Sequence, residues 1–263
     1  MAAPQIHPAA FVAPTAQLGD DVVIGPCAVI EDDVVIGART RIDAFASIKR
    51  YTTMGEDNHV YSYAAVGGEP QDLKFHGEES RLVIGNRNNI REFTTLHRGT
   101  ESGGGITRVG DNNLLMAYVH IAHDCKLGNN IIISNSSQIA GEVVIDDYAI
   151  LSGGVLCHQF THIGSHVMIQ GGSQVNKDIP PYAKIGHTPI AFAGINTVGL
   201  RRRGFSDEAI AVIQEVYRCI YMSGMNTSDA LKYIEENVAA TPERDEILQF
   251  VHSSERGIVR GLK

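Results

Sequence analysis

Aliphatic residues recur at every sixth position over most of the chain. The first run passes from Ile6 through Val12, Leu18, Ile24, Ile30, Ile36, Ile42, Ile48, Met54 and Val60 to Val66. After an irregular stretch the beat returns at Ile84, Ile90 and Leu96. It resumes at Val109 and continues through Leu115, Ile121, Leu127, Ile133, Ile139, Ile145, Leu151, Cys157, Ile163 and Ile169 to Val175. Glycine often follows the beat, as at Gly19, Gly25, Gly37, Gly55, Gly85, Gly110, Gly128 and Gly164. A small or β-branched residue sits four places after it, as at Ala10, Ala16, Val22, Ala28, Val34, Thr40 and Ala46.

A period of six matches neither a helix nor a two-faced strand, but it matches a solenoid of short strands. One hexad forms one flat side, and three close a triangular coil of about 18 residues, giving about nine coils. The beat residue points inward and stacks on its equivalents one coil away, at about 4.8 Å spacing. The small fourth residue suits a crowded corner, and Gly and Asn are expected to supply backbone conformations that other residues resist.

The beat stops near Val175, and DIPPY (178–182) marks a break because proline cannot continue a ladder. The period then changes. Ser206 is the expected N-cap of a helix carrying Ile210, Val212, Ile213, Val216 and Tyr217, with Asp207 and Glu208 at its positive end and Gly224 beyond its finish. Thr227 or Ser228 is expected to cap a second helix toward Val238, and Pro242 to open a third. The expected division is a solenoid over 1–188 and an α-helical domain over 189–263. Two insertions interrupt the solenoid: GGEPQDLKFHGEES (67–80) and RGTESGGGITR (98–108). Such loops leave the stack undisturbed and commonly carry function. The N-terminal coil is expected to be a bare edge, with the helices covering the other end.

Composition narrows the classes. A formal net charge of −8 and the lack of a long basic tract argue against nucleic-acid binding. No apolar run is long enough for a membrane span, and the N-terminus lacks a leader pattern, so a cytoplasmic protein is expected. Cys27, Cys125, Cys157 and Cys219 show no paired spacing, which suits reduced thiols, with Cys157 as an inward-facing hydrophobe.

The segment HIAHDC (120–125) carries the clearest chemistry. Inward Ile121 leaves His120 and His123 outside the core, where an imidazole can take a proton from a sugar hydroxyl. Asp124 follows directly and is a candidate partner for a histidine, although neighbouring solenoid residues usually face opposite ways. Two solvated surface histidines remain an equally simple reading of the segment alone. Stacking by 18 places His123 beneath Gly141, and Gly141 beneath Gln159. A bare glycine N–H above a base suits an oxyanion, but the glycine alone is equally consistent with a tight corner. His120 stacks beneath Gln138, and His158 lies in CHQF (157–160). The Arg201–Arg203 run fits either a solvated helix approach or a contact to phosphate or an acidic partner.

The hexads resemble those of the hexapeptide-repeat acyltransferases, whose parallel β-helix is left-handed. HIAHDC, GEPQDLK (68–74), TTLHRGT (94–100), CHQF, DIPPY and GINTVGLRRRGF (194–205) together resemble the UDP-N-acetylglucosamine O-acyltransferases of lipid A and lipopolysaccharide biosynthesis, over essentially the whole chain. That resemblance implies a cytoplasmic homotrimer without metal or cofactor. It would move an (R)-3-hydroxyacyl group from acyl carrier protein to the 3-hydroxyl of UDP-N-acetylglucosamine. It further implies His123 as general base, Asp124 as its partner and the Gly141 N–H at the oxyanion. His120 and Lys74 would hold substrate, Gln71 and Asp72 would bond the sugar or acyl chain, and His97, His158 and Gln159 would line an inter-subunit groove. Asn196, Arg202 and Arg203 would approach the nucleotide, and Gly171 would favour a longer acyl groove. Glu142 and Val198 depart from the family pattern, where a histidine and an acidic residue stand.

Competing readings are a trimeric zinc hydratase of the same fold, using imidazoles such as His97, His120, His123 and His158, and a non-enzymatic scaffold. The hydratase leaves the PQDLK loop and the RRRGF segment without a role. An N-acyltransferase relative usually carries an additional N-terminal domain, for which hexads starting at Ile6 leave no room.

Overall fold

The computed structural model describes residues 2–262. Short parallel strands form the three faces of a prism, beginning at Gln5–Ile6, Phe11–Val12 and Gln17–Leu18 respectively. Pairing is in register at one coil's spacing: Ile6 opposite Ile24, Ile30 opposite Ile48, Ile121 opposite Ile139. The beat residues fill the axis, and Ile30, Ile48, Ile90, Leu115, Ile133 and Ile139 are completely inaccessible. Each touches aliphatic neighbours above and below, so a shortened side chain leaves a gap that the stiff ladder closes poorly. Ile133→Val is expected to lower stability by about 1 kcal/mol, read as a lower urea midpoint without a change in activity.

Glycine's place in the hexad differs from the sequence expectation. The left-handed backbone conformation falls three residues after the beat, at corners mostly occupied by other residues, such as Asp21, Cys27, Arg39, Phe45, Tyr63, Asp124 and Glu142. A non-glycine residue there costs about 1–2 kcal/mol. Corner side chains regain some of this by stacking on their equivalents: Phe45, Tyr63, Phe93 and Tyr118 form a near-parallel ladder with ring spacings of 5.1, 5.0 and 4.9 Å. The glycines directly after the beat serve close approach instead. A Cβ on Gly19 would stand 2.7 Å from the Ala38 nitrogen, and one on Gly164 2.6 Å from that of Pro181.

Buried asparagines link successive coils at another corner. Asn58 Oδ1 accepts from the Asn88 N–H at 2.9 Å, and Asn88 Oδ1 from the Asn113 N–H at 2.9 Å. Asn113 Oδ1 then accepts from the Ile131 N–H at 2.7 Å.

The last strand of the first face, Ala191–Ile195, turns back antiparallel on Ala183–Gly186, beyond residue 188 where the sequence suggested the solenoid's end. Four helices follow: α1 (Thr197–Arg202), α2 (Asp207–Met222), α3 (Thr227–Asn237) and α4 (Pro242–Ser253). The short α1 was not anticipated. Ser206 caps α2 by accepting from the Ala209 N–H, but Asn226, one residue earlier than expected, caps α3. Helix α2 buries Ile210, Ile213, Val216, Tyr217 and Ile220, packing on α3, on α4 and on the last strand of the solenoid. The Tyr217 hydroxyl donates to the Pro181 carbonyl, and Glu246 on α4 accepts from Ser165 and Tyr182. At the opposite end Ile6 and Phe11 remain exposed. All four cysteines are free, and burial pushes the Cys125 thiol up to about 12. No helix among the described residues is long and apolar enough to cross a membrane.

Candidate active site

Both insertions leave the prism at one edge, where the second face passes into the third. The first lies between Ala65–Gly68 and Arg81–Ile84, and the second between Thr95–His97 and Ile106–Val109. The next corner on that edge is His123–Asp124, followed by Gly141–Glu142 and then Gln159–Phe160. One edge therefore collects the two long loops and the chemistry-bearing residues.

His123 Nδ1 lies 2.8 Å from Asp124 Oδ2. The left-handed conformation of Asp124, with φ of +60°, permits this contact between adjacent residues. It turns the aspartate back under the edge instead of letting it alternate away. Asp124 is shut from solvent, while the His123 ring keeps 16% of its side-chain surface exposed. The ring thus presents Nε2 to the edge, 4.0 Å from Asp72 Oδ2 on the first insertion. Gly141 closes the other side: a Cβ there would stand 2.7 Å from Nε2 and 2.6 Å from Cε1 of His123. Among the described residues no acceptor takes the Gly141 N–H.

His97 and His120 form the floor beside this pair, ring edge to ring face at 4.9 Å. His120 Nδ1 bonds Thr95 Oγ1 at 2.8 Å, whereas His97 Nδ1 is buried without a partner. Burial, reinforced by His120 and His123, holds the His97 pKa down to about 4. Burial and His123 also lower that of His120. Two neutral imidazoles can donate or accept at one nitrogen each without adding charge beside a third. In the unfolded chain His97 takes a proton near 6.5, so the folded state loses stability as pH falls from there toward about 4. His97→Gln is expected to reduce that loss, read from denaturant midpoints across this range.

Other sequence candidates lie near or apart. Gln71 and Lys74 are exposed on the first insertion, where Asp72 Oδ1 accepts from the Lys74 N–H at 3.0 Å. A hollow of about 550 Å³ between the insertions is lined by Lys74, His76, Glu78, Glu101 and Ser102. His158 and Gln159 sit two coils beyond His120 and His123, and Arg256 reaches both, bonding the Gln159 carbonyl at 3.1 Å. Asn196, Arg202, Arg203 and Gly171 do not join this group within one chain. Gly171 is at the edge between the first and second faces. Asn196 and Arg203 are at the edge between the third and first.

There the Asn196 side chain is spent internally, donating to the His166 carbonyl at 2.9 Å and accepting from the Gly199 N–H at 3.2 Å. Arg203 lies over the Tyr148 ring and donates to the Tyr148 carbonyl at 3.1 Å. Its other terminal nitrogen is buried without a partner, and desolvation lowers its pKa. Arg202 and Val198 are exposed on α1, and Glu142 takes a left-handed corner beside Gly141. Among the described residues no group of three or more His, Cys, Asp or Glu side chains is placed to hold a metal.

Sequence reasoning missed Thr100 and Thr107, which enclose Asp124. Thr100 donates its N–H to Oδ1 at 2.9 Å and its hydroxyl to Oδ2 at 2.7 Å. Thr107 Oγ1 accepts from the Asp124 N–H at 2.7 Å. The available signal was the pairing of Thr95 with His120, 25 positions apart across the second insertion, which brings 99 and 100 alongside 124.

Stacked three-sided coils, a helical end and an imidazole–carboxylate pair on a looped edge define a hexapeptide-repeat transferase. The family model for bacterial transferase hexapeptide repeats matches residues 106–141, and that for UDP-N-acetylglucosamine O-acyltransferase domain 2 matches 178–259. A Burkholderia orbicola protein named acyl-(acyl-carrier-protein)–UDP-N-acetylglucosamine O-acyltransferase is 46% identical over 260 residues, covering 97% of this chain and 99% of its own. The crystal structure of a UDP-N-acetylglucosamine acyltransferase from Bacteroides fragilis superposes with a TM-score of 0.95 at 50% identity, covering 97% of this chain and 100% of that one. The Francisella novicida enzyme superposes equally well at 40% identity, over 97% and 94% of the two chains. The chain belongs to the UDP-N-acetylglucosamine O-acyltransferase family, and its coil is the left-handed parallel β-helix.

Proposed function

We propose that the protein transfers an (R)-3-hydroxyacyl group from acyl carrier protein to the 3-hydroxyl of UDP-N-acetylglucosamine, the opening step of lipid A biosynthesis. It works in the cytoplasm as a homotrimer, without metal or cofactor. The observation that carries the chemical reading is the His123–Asp124 pair, with Nδ1 engaged at 2.8 Å and Nε2 facing the edge beneath Gly141.

With Nδ1–H donated to Asp124, Nε2 is the free base. It takes the proton of the sugar hydroxyl as that oxygen attacks the thioester carbonyl. A C–O bond forms, and negative charge collects on the carbonyl oxygen, where the open Gly141 N–H can meet it. As the intermediate collapses, the C–S bond breaks and the imidazolium returns its proton to the departing carrier thiolate. The nucleophile belongs to the substrate, so no acyl-enzyme is needed. His120, Lys74, Gln71 and Asp72 would hold sugar and acyl chain around this point.

The trimer is supported by the placement of the remaining groups. Arg203 and Asn196, Gly171, and His123 occupy three different edges of one prism. A nucleotide sugar with an acyl chain would touch all of them only in a cleft between two copies, with His97, His158 and Gln159 along its wall. Arg203, with a donor still unpartnered, is the better phosphate ligand of the Arg pair by its burial. Asn196 would act by fixing the start of α1.

Incubation with UDP-N-acetylglucosamine and carrier-bound (R)-3-hydroxyacyl chains of graded length, read by mass spectrometry, tests this proposal. A product with the acyl group on the sugar 3-oxygen is expected. Longer chains in the series should be preferred, because Gly171 adds no side chain to the groove. Absence of product with every chain would overturn the reading.

A further inference from the structure

Asp124 is shut off from water, so both oxygens of its carboxylate must find their donors within the chain. The second insertion meets that demand. Thr100 places its N–H on Oδ1 at 2.9 Å and its hydroxyl on Oδ2 at 2.7 Å, the oxygen that also meets His123 Nδ1 at 2.8 Å. The direction of that hydroxyl follows from its partner: an ionised carboxylate only accepts, so Thr100 donates to Oδ2 while its Oγ1 accepts the Gly103 N–H at 3.1 Å and lies 3.1 Å from Ser102 Oγ. The loop backbone presses close around the same carboxylate. A Cβ on Gly99 would stand 2.7 Å from Oδ1, and one on Gly103 would overlap the carboxylate itself. Two donors fixed on two different oxygens hold the carboxylate plane, and the plane in turn sets the angle of the imidazole.

We propose that Thr100 is a positioning residue for acyl transfer: acting through Asp124, it holds His123 with Nδ1 protonated and Nε2 aimed at the substrate hydroxyl. On this account the second insertion builds the pocket for the aspartate, and Thr100 is its working residue. The proposal rests on His123 as the general base.

The test uses Thr100→Val, which keeps the shape and removes the donor, with Thr100→Ser as rescue and His123→Gln as control. For Thr100→Val, kcat is expected to fall about a hundredfold, with KM for UDP-N-acetylglucosamine held within about twofold. Thr100→Ser should recover most of the loss. In protein labelled with 15N-histidine, the His123 ring Nδ1–H resonance, assigned by its loss in His123→Gln, should shift or broaden in Thr100→Val at unchanged thermal stability. An unchanged resonance with nearly full kcat overturns the proposal. So does a loss of kcat that serine fails to restore and that tracks a loss of thermal stability. If His123→Gln itself stays active, the general-base reading has failed and takes this proposal with it. If His123→Gln is inactive while Thr100→Val works normally, only the role of Thr100 has failed.

Discussion

His123→Ala is expected to lower kcat by about a hundredfold to ten-thousandfold, the range a positioned general base supplies, while the melting temperature stays nearly unchanged. Among the described residues the ring is the one base whose Nε2 is directed at the edge while its other nitrogen is engaged by a buried carboxylate. His120 cannot substitute, because Thr95 holds its Nδ1 and burial with His123 keeps its proton affinity low. Removing the His123 ring leaves the axial core untouched, since Ile121 and Ile139 still pair across the coils. Steady-state transfer assays and thermal melts on the same preparations provide the check. Retention of most activity would remove His123 from the chemistry and leave the edge as a binding surface.

Gly141→Ala is expected to reduce kcat by about a hundredfold or more through one methyl group. The new Cβ would stand 2.6 Å from Cε1 and 2.7 Å from Nε2 of His123, well inside contact distance. Either the ring swings away from Asp124 or the coil carrying residue 141 lifts. The first spoils the base, and the second displaces the N–H proposed to meet the oxyanion; a shift of about 1 Å is enough for such a loss. Stability should fall by about 1–3 kcal/mol at most, as for other overpacking changes. A variant with kcat near that of the parent would show that neither group needs its observed place.

The axis of this molecule was readable in advance because every beat residue meets the same surroundings: Ile24, Ile42 and Ile133 are interchangeable in environment. The corners were not. Asp, Arg, Phe, Tyr and Glu all occupy left-handed positions there, so residue identity carries little signal, and glycine pointed instead to close contact between coils. The juxtaposition of His123 and Asp124 depends on one such corner, which is why alternation along the chain argued against it. The offset of 18 that aligned His123 with Gly141 was legible because no insertion intervenes. The contact of Thr100 with Asp124 was hidden by the extra residues of the second insertion, which changed the offset to 24. Helix α1 is six residues long, with only Leu200 buried, too short to give a periodic signature.

The asparagine chain running from Asn58 through Asn88 to Asn113 bears on how such a monotonous molecule finds one arrangement. Coils that differ so little in their aliphatic filling are nearly interchangeable docking partners, and a growing stack could skip or double a layer at little loss of apolar contact. Amides that bond one another and the glycine carbonyls of the adjoining coil, across loops of unequal length, act as keys. A skipped layer would strand at least two of them, at about 1–3 kcal/mol for each buried group left unmatched. The repeat supplies cohesion, and these few polar side chains count the turns.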